Sequence, residues 1–295
     1  MYLPDFDYYL PSTLEEACLV LSRLGGVARV LAGGTDLIPQ MKNEAVAPKA
    51  LVSLKRIKGL KEIEYALGKG MVIGAAATQN DLATSLALGE RYPSVTEAAA
   101  SMANNQVRNR GTVGGNIVSA VPSADLPPIL IALDASVTLL GPRGSRTMSL
   151  ENFFTGPRSS LISYDEILID IVIPEQPTTG SAYFKFGLRN SGALAVVGAA
   201  ASVVADGLHV ERVRIVLGAV APTPIRARQA EQLIAGNSVT ETLLEEAGRA
   251  AAWECRPISD IRGSEEYRRD MVRVFTKRAL RKALKLPETE AMEAR

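Results

Sequence analysis

Residues 110–125 read RGTVGGNIVSAVPSAD, and the rest of the chain is organised around them. A glycine pair, Gly114 and Gly115, stands with Val113 between the short hydrogen-bonding side chains of Thr112 and Asn116, and Asp125 closes the stretch. Glycines in such a place can take positive φ and let another molecule touch the backbone. Successive N–H groups in a turn of this kind form a concavity that binds anions. Residues 30–37, VLAGGTDL, repeat the recipe: Val30, Leu31 and Ala32 in a strand-like run, then Gly33 and Gly34, then Thr35, Asp36 and Leu37. Neither glycine core contains Lys or Arg. An anion held there is neutralised by peptide N–H groups and hydroxyls, which suits a diphosphate lying along the chain. Either motif alone is equally an ordinary tight turn. Two of them, each after a strand-like run, read as two walls of one diphosphate site.

The acids near these motifs carry their own expectations. Asp36 beside a phosphate is electrostatically wrong, so it is read as a turn former bonding its own backbone. Asp125 opens the apolar run LPPILIAL. It either caps a helix there or accepts hydrogen bonds from ribose hydroxyls.

Composition excludes several chemistries. The chain has 295 residues, 47% of them hydrophobic, and a net charge of +1. That is enough for one large domain or two to three small ones, with nothing to draw it to nucleic acid. One histidine, His209, cannot build a zinc site, and two cysteines, Cys18 and Cys255, cannot hold an iron–sulfur cluster. Both cysteines read as buried helix positions, which fits a cytoplasmic setting. There is no GxSxG elbow, no GxxxxGK[ST] loop and no GxGxxG fingerprint. The start, MYLPDFDYYLP, has Pro and Asp where the apolar core of a secretory signal would stand. The longest apolar run, residues 196–205, is too short for a membrane span.

Outward from the motifs, Ser12, Thr13, Leu14 and Glu15 form a capping box that starts a helix, and Gly25 ends it. Strands are expected at 28–32, 50–54, 71–76 and 137–140, and a half-buried alternating strand at 166–174. Thr78 caps a helix through 86, and Ser94 a second through about 102. Pro, Gln and Thr gather at 174–180 and mark a boundary. Beyond it lie strands at 182–188, 193–205 and 210–220, with a hairpin at Asp206 and Gly207, then helices at 225–235, 240–254 and 264–284. The last is lined with Arg and Lys, either as a solvated face or as a docking face. Residues 286–295 are expected to be a disordered tail.

VLAGGTDLIPQMK and RGTVGGNIVSAVPSADLPPILIALDASVTL resemble the FAD-binding medium subunit of the molybdenum hydroxylases, the xanthine dehydrogenase and carbon monoxide dehydrogenase group. PDFDYYLPSTLEEA, ENFFTGPR and DEILIDIVIP match in order as well. The resemblance implies an α+β chain with the vanillyl-alcohol-oxidase (PCMH) type of FAD fold over 1–176, in subdomains of about 1–57 and 58–176. A C-terminal α+β domain with a three-stranded antiparallel sheet and helices follows at 177–285. It implies that residues 30–37 form the first diphosphate loop and residues 112–116 the second. It places Met102 beside the flavin, Asp125 on the cofactor, Leu168 near the ring and Lys185 close by. Read without the family, Lys185 alternates with apolar neighbours and would be exposed. Many relatives carry an acid and then an aromatic residue after the Arg189 region; here Gly192, Ala193, Leu194 and Ala195 stand there instead.

The resemblance further implies non-covalent FAD in an electron-transfer subunit of an oxidoreductase. A large partner subunit would hold the molybdenum cofactor and a small one the [2Fe–2S] clusters, in a dimer of heterotrimers. Two other readings stay open: a self-contained flavin oxidoreductase of the same fold, and a nucleotide-binding sensor without redox activity.

Overall fold

The computed structural model describes residues 3–287. Three sheets carry the architecture. A parallel three-stranded sheet runs in the order Asp7–Tyr9, Ala50–Ser53, Ala28–Leu31. An antiparallel five-stranded sheet runs Ile63–Ala66, Gly70–Gly74, Ile167–Pro174, Ser136–Gly141, Gly144–Ser149. An antiparallel four-stranded sheet runs Gly180–Phe186, Val197–Asp206, His209–Gly218, Ile225–Arg226. The fourth strand is only two residues long and lies where a helix start was expected; the helix begins at Arg228.

The first sheet is backed by the helix Leu14–Leu24, whose Ala17, Cys18 and Leu21 are buried against Ala50, Val52 and Leu54. Its cap sits one residue later than the capping box proposed from the sequence. Thr13 accepts from the Glu16 amide at 3.1 Å, while the Glu16 carboxylate takes the Ser12 N–H at 2.8 Å. Gly25 ends the helix with φ +65°, a conformation that costs glycine nothing.

Ile167–Pro174 is not half-buried. It is the central strand of the five, so Ile167, Leu168, Ile171, Val172 and Ile173 are all buried. Its pairing with Ser136–Gly141 slips between Leu168 and Asp170. Against this sheet pack the short helices Gln79–Thr84, Leu86–Arg91, Pro93–Ala100 and Leu126–Ala132. Pro93 rather than Ser94 opens the third of these, with Tyr92 at the cap position.

In the C-terminal sheet, the helices Glu241–Glu254 and Glu265–Ala283 cover one face. The Arg and Lys of the last helix are mostly paired within the chain. Lys277 meets Glu241 at 3.2 Å, and Arg273 and Arg281 pair with Glu245 and Glu241. Arg268 is 1% exposed and donates to the Val196 and Ala219 carbonyls and to Asp260. Leu286 still packs against this core; residues 288–295 of the expected tail lie outside the described residues. Among the described residues no helix is long and apolar enough to cross a membrane.

Candidate functional site

Between the parallel sheet, the five-stranded sheet and the loop at 192–194 lies a cavity of about 700 Å³, within the range of ligand pockets. Both glycine motifs line it, and they touch. A Cβ on Gly33 would stand 1.9 Å from the Arg110 carbonyl oxygen, and one on Gly111 would stand 3.4 Å from the Thr35 hydroxyl. The Ser119 hydroxyl donates to Asp36 at 2.9 Å, joining the two walls. Asp36 therefore bonds the opposite wall, not its own backbone.

The two walls differ in kind. After Leu31 the strand ends, Gly34 takes φ +75°, and the helix Leu37–Lys42 begins. No protein acceptor takes the N–H groups of Ala32, Gly33, Gly34, Thr35 or Asp36 among the described residues. These amides are free for an anion. The second motif is not a turn. Val113–Val118 is a short helix capped by Thr112, and neither glycine of the pair has positive φ. Its amides are spent. Val113 donates to the Ala77 carbonyl, Gly114 to that of Ala75, Gly115 to the Thr112 hydroxyl and Asn116 to the Thr112 carbonyl. Gly114 is needed for contact, because a Cβ there would lie 2.7 Å from the Ala75 carbonyl oxygen. Among the described residues the unspent main-chain amides are thus at residues 32–36 and not at 113–116. The second wall offers side chains, chiefly Asn116, whose Oδ1 is buried with no partner among the described residues.

Of the residues singled out from the sequence, Val30, Leu31, Ala32, Gly33, Gly34, Thr35, Asp36, Leu37, Met102, Thr112, Gly114, Gly115, Asn116, Asp125 and Leu168 line the cavity. Two do not. Val113 is turned into the core, fully buried, because the helix that carries it puts that position inward. Lys185 stands behind Asp125, with Nζ 2.8 Å from Oδ2. It is only 11% exposed and also donates to the Ser101 carbonyl at 3.3 Å. The alternation that pointed it to solvent failed because the other domain covers that face of the strand. Asp125 neither caps its helix nor keeps a free carboxylate; Tyr183 donates to its other oxygen at 2.9 Å. Burial lifts the Asp125 carboxyl above its ordinary range, against the pull of the Lys185 ammonium. The Tyr183 phenol is pushed well up by burial and by that carboxylate.

Two family profiles divide the chain. The FAD binding domain in molybdopterin dehydrogenase matches residues 4–176, and the CO dehydrogenase flavoprotein C-terminal domain matches residues 182–283. The chain belongs to the FAD-binding medium subunits of the molybdenum hydroxylases. This medium subunit is 37% identical to the carbon monoxide dehydrogenase medium chain of Hydrogenophaga pseudoflava, over 96% of this chain and 98% of that one. It is 31% identical to the xanthine dehydrogenase FAD-binding subunit of Escherichia coli O157:H7, over 95% and 97%. A solved carbon monoxide dehydrogenase from Hydrogenophaga pseudoflava superposes with a TM-score of 0.92 at 38% identity, covering 96% of this chain and 98% of that one. The fold is therefore the PCMH-type α+β fold of those subunits, and the chain is an oxidoreductase subunit.

The cavity of this medium subunit fits a flavin dinucleotide. Among the described residues the amides of 32–36 are unpaired, the close approach at Gly33 is held open, and apolar Val30, Leu54, Ile167 and Leu168 are part of the lining. Sequence reasoning missed Arg29, Gln40, Gln79, Ser123, Tyr164 and Leu194, all on the wall. Arg29, Gln40 and Ser123 lie in or beside the motif stretches, whereas Gln79, Tyr164 and Leu194 are far from them in sequence and only the folded chain brings them there. Leu194 had a signal, since it lies in the segment that departs from the relatives.

Proposed function

We propose that this subunit holds FAD non-covalently in the cavity, with the diphosphate on the free amides of residues 32–36. The observation that carries this reading is the pair of glycine motifs in contact across one cavity, with unspent amides on one side only. Thr112 and Asn116 face those amides and supply a hydroxyl and a carboxamide. Met102 and residues 192–194 flank the isoalloxazine, Leu168 gives an apolar contact near the ring, and Val30 leads into the first diphosphate loop. Asp125 reaches the cofactor from a position fixed by Tyr183 and Lys185. A bound flavin would supply the redox chemistry, electron transfer between a small [2Fe–2S] partner subunit and a terminal acceptor. This chain supplies binding, orientation and electrostatics; substrate oxidation falls to a large partner subunit with the molybdenum cofactor.

The division of labour we assign is an FAD-binding PCMH-type domain at 1–176, with subdomains of about 1–57 and 58–176, and a closing domain at 177–285. We place the chain in a cytoplasmic dimer of heterotrimers.

Reconstitution tests the reading. Purified protein titrated with FAD should bind one equivalent, quench its fluorescence and release it on denaturation. Without partner subunits, the flavin should stay oxidised in the presence of aldehydes, purines and other N-heterocycles. Failure to bind FAD, or binding ADP as tightly as FAD, would sink the proposal.

A further inference from the structure

Gln79 is the first residue of the helix Gln79–Thr84 and is fully buried on the cavity wall. Its backbone is fixed: the Gln79 N–H donates to the Gly111 carbonyl at 2.9 Å, and Thr78 and Asp81 close a capping box around it. Its side chain is not. Among the described residues neither Oε1 nor Nε2 has any hydrogen-bond partner. The next residue shows the contrast. Asn80 donates to Asn105 and Asn109 at 2.8 and 2.6 Å and accepts from Arg108 at 3.1 Å. Arg108 in turn holds the Met102 carbonyl at 2.8 Å. Gln79 therefore sits on a rigid frame beside the segment that carries Met102, with its donor and its acceptor both unused.

A buried carboxamide with both ends unmatched destabilises the fold. An apolar side chain of similar size would be tolerated better there, unless the amide has a ligand. We propose that Gln79 is a binding residue that pairs with the carbonyl and N–H edge of the isoalloxazine. A carboxamide presents one donor and one acceptor side by side, and a ring edge carrying C=O next to N–H is its complement. The assignment rests on the reading that the flavin ring lies at the Met102 end of the cavity. It adds to that reading a ring-recognising side chain that neither glycine motif contains.

The test compares Gln79→Leu and Gln79→Met with the parent protein by titration with FAD and with ADP, alongside thermal melts. Both variants should melt at or above the parent temperature in the absence of nucleotide, because the unmatched atoms are gone. FAD affinity should fall by roughly tenfold, the size of a lost buried hydrogen-bond pair. ADP affinity should stay at the parent value, and the visible absorption bands of bound FAD should shift. Unchanged FAD affinity in a well-folded variant would overturn the proposal. So would equal losses for FAD and ADP, which would put Gln79 on the diphosphate, or a lowered melting temperature in both variants, which would make it a structural residue. A parent protein that binds no FAD would instead bring down the reading beneath it.

Discussion

Lys185 and Asp125 form an ion pair 2.8 Å long across the junction of the two domains, and both side chains are nearly buried. Removing one member leaves the other charge buried without its partner, at a cost of about 3–5 kcal/mol. Lys185→Met should therefore destabilise strongly in urea denaturation, and Lys185→Met with Asp125→Asn should recover part of the loss. The pH dependence has a definite sign. Because burial raises the folded Asp125 pKa, the folded state binds that proton more tightly than the unfolded chain. Its contribution is fully present below the ordinary carboxylate pKa of about 3.9, and it is lost as pH rises through the folded value. Asp125→Asn should flatten that part of the stability profile; an unchanged profile would contradict the assignment.

Gly33 and Gly34 should respond differently to alanine. At Gly33 the new Cβ would collide with the Arg110 carbonyl, prising the walls of the cavity apart. The expected cost is about 1–3 kcal/mol of stability, together with loss of FAD retention on gel filtration. At Gly34 the new Cβ would meet only the side chains of Ile38 and Leu31 at 3.2 Å, but φ is +75°. Backbone strain there should cost about 1–2 kcal/mol, with FAD retention largely kept.

Asp260 has the opposite linkage to Asp125. Arg262 and Arg268 hold its carboxyl well below the usual range. That stabilisation is present above the unfolded pKa of about 3.9 and is lost as pH falls through the folded one. Asp260→Asn should remove stability at neutral pH and make acid unfolding less steep, read from urea midpoints at pH 3 to pH 7.

Both cysteines should be unreactive in the folded protein. Burial pushes the Cys255 thiol up to about 11 and raises Cys18 as well, so little thiolate exists at neutral pH. A thiol reagent should label neither in buffer and both in denaturant. Rapid labelling of either one in buffer would contradict the burial.

Local patterns read well where one face of an element decides its fate. The helix at Leu14–Leu24, the hairpin at Asp206 and Gly207, and the three long strands of the C-terminal sheet follow from spacing and turn residues. They read poorly where a second layer covers the other face. Ile167–Pro174 lost its expected exposed side to its place in the middle of the five strands, and Lys185 lost its solvent to Asp125. The basic helix Glu265–Ala283 was read as solvated or docking, yet its charges answer Glu241, Glu245 and Asp260. Pairing across helices leaves no trace in the spacing of one of them.

By itself the sequence determined the family, the two glycine motifs and their meeting at one site, because small residues in series after a strand leave the backbone open to a ligand. Only the tertiary structure decided which motif keeps its amides. The amides of residues 113–116 are consumed by Ala75, Ala77 and Thr112, whereas those of residues 32–36 find no acceptor among the described residues. A hydrogen bond is settled by where the acceptor lies in space, and two GG pairs in similar settings ended with opposite capacities for that reason.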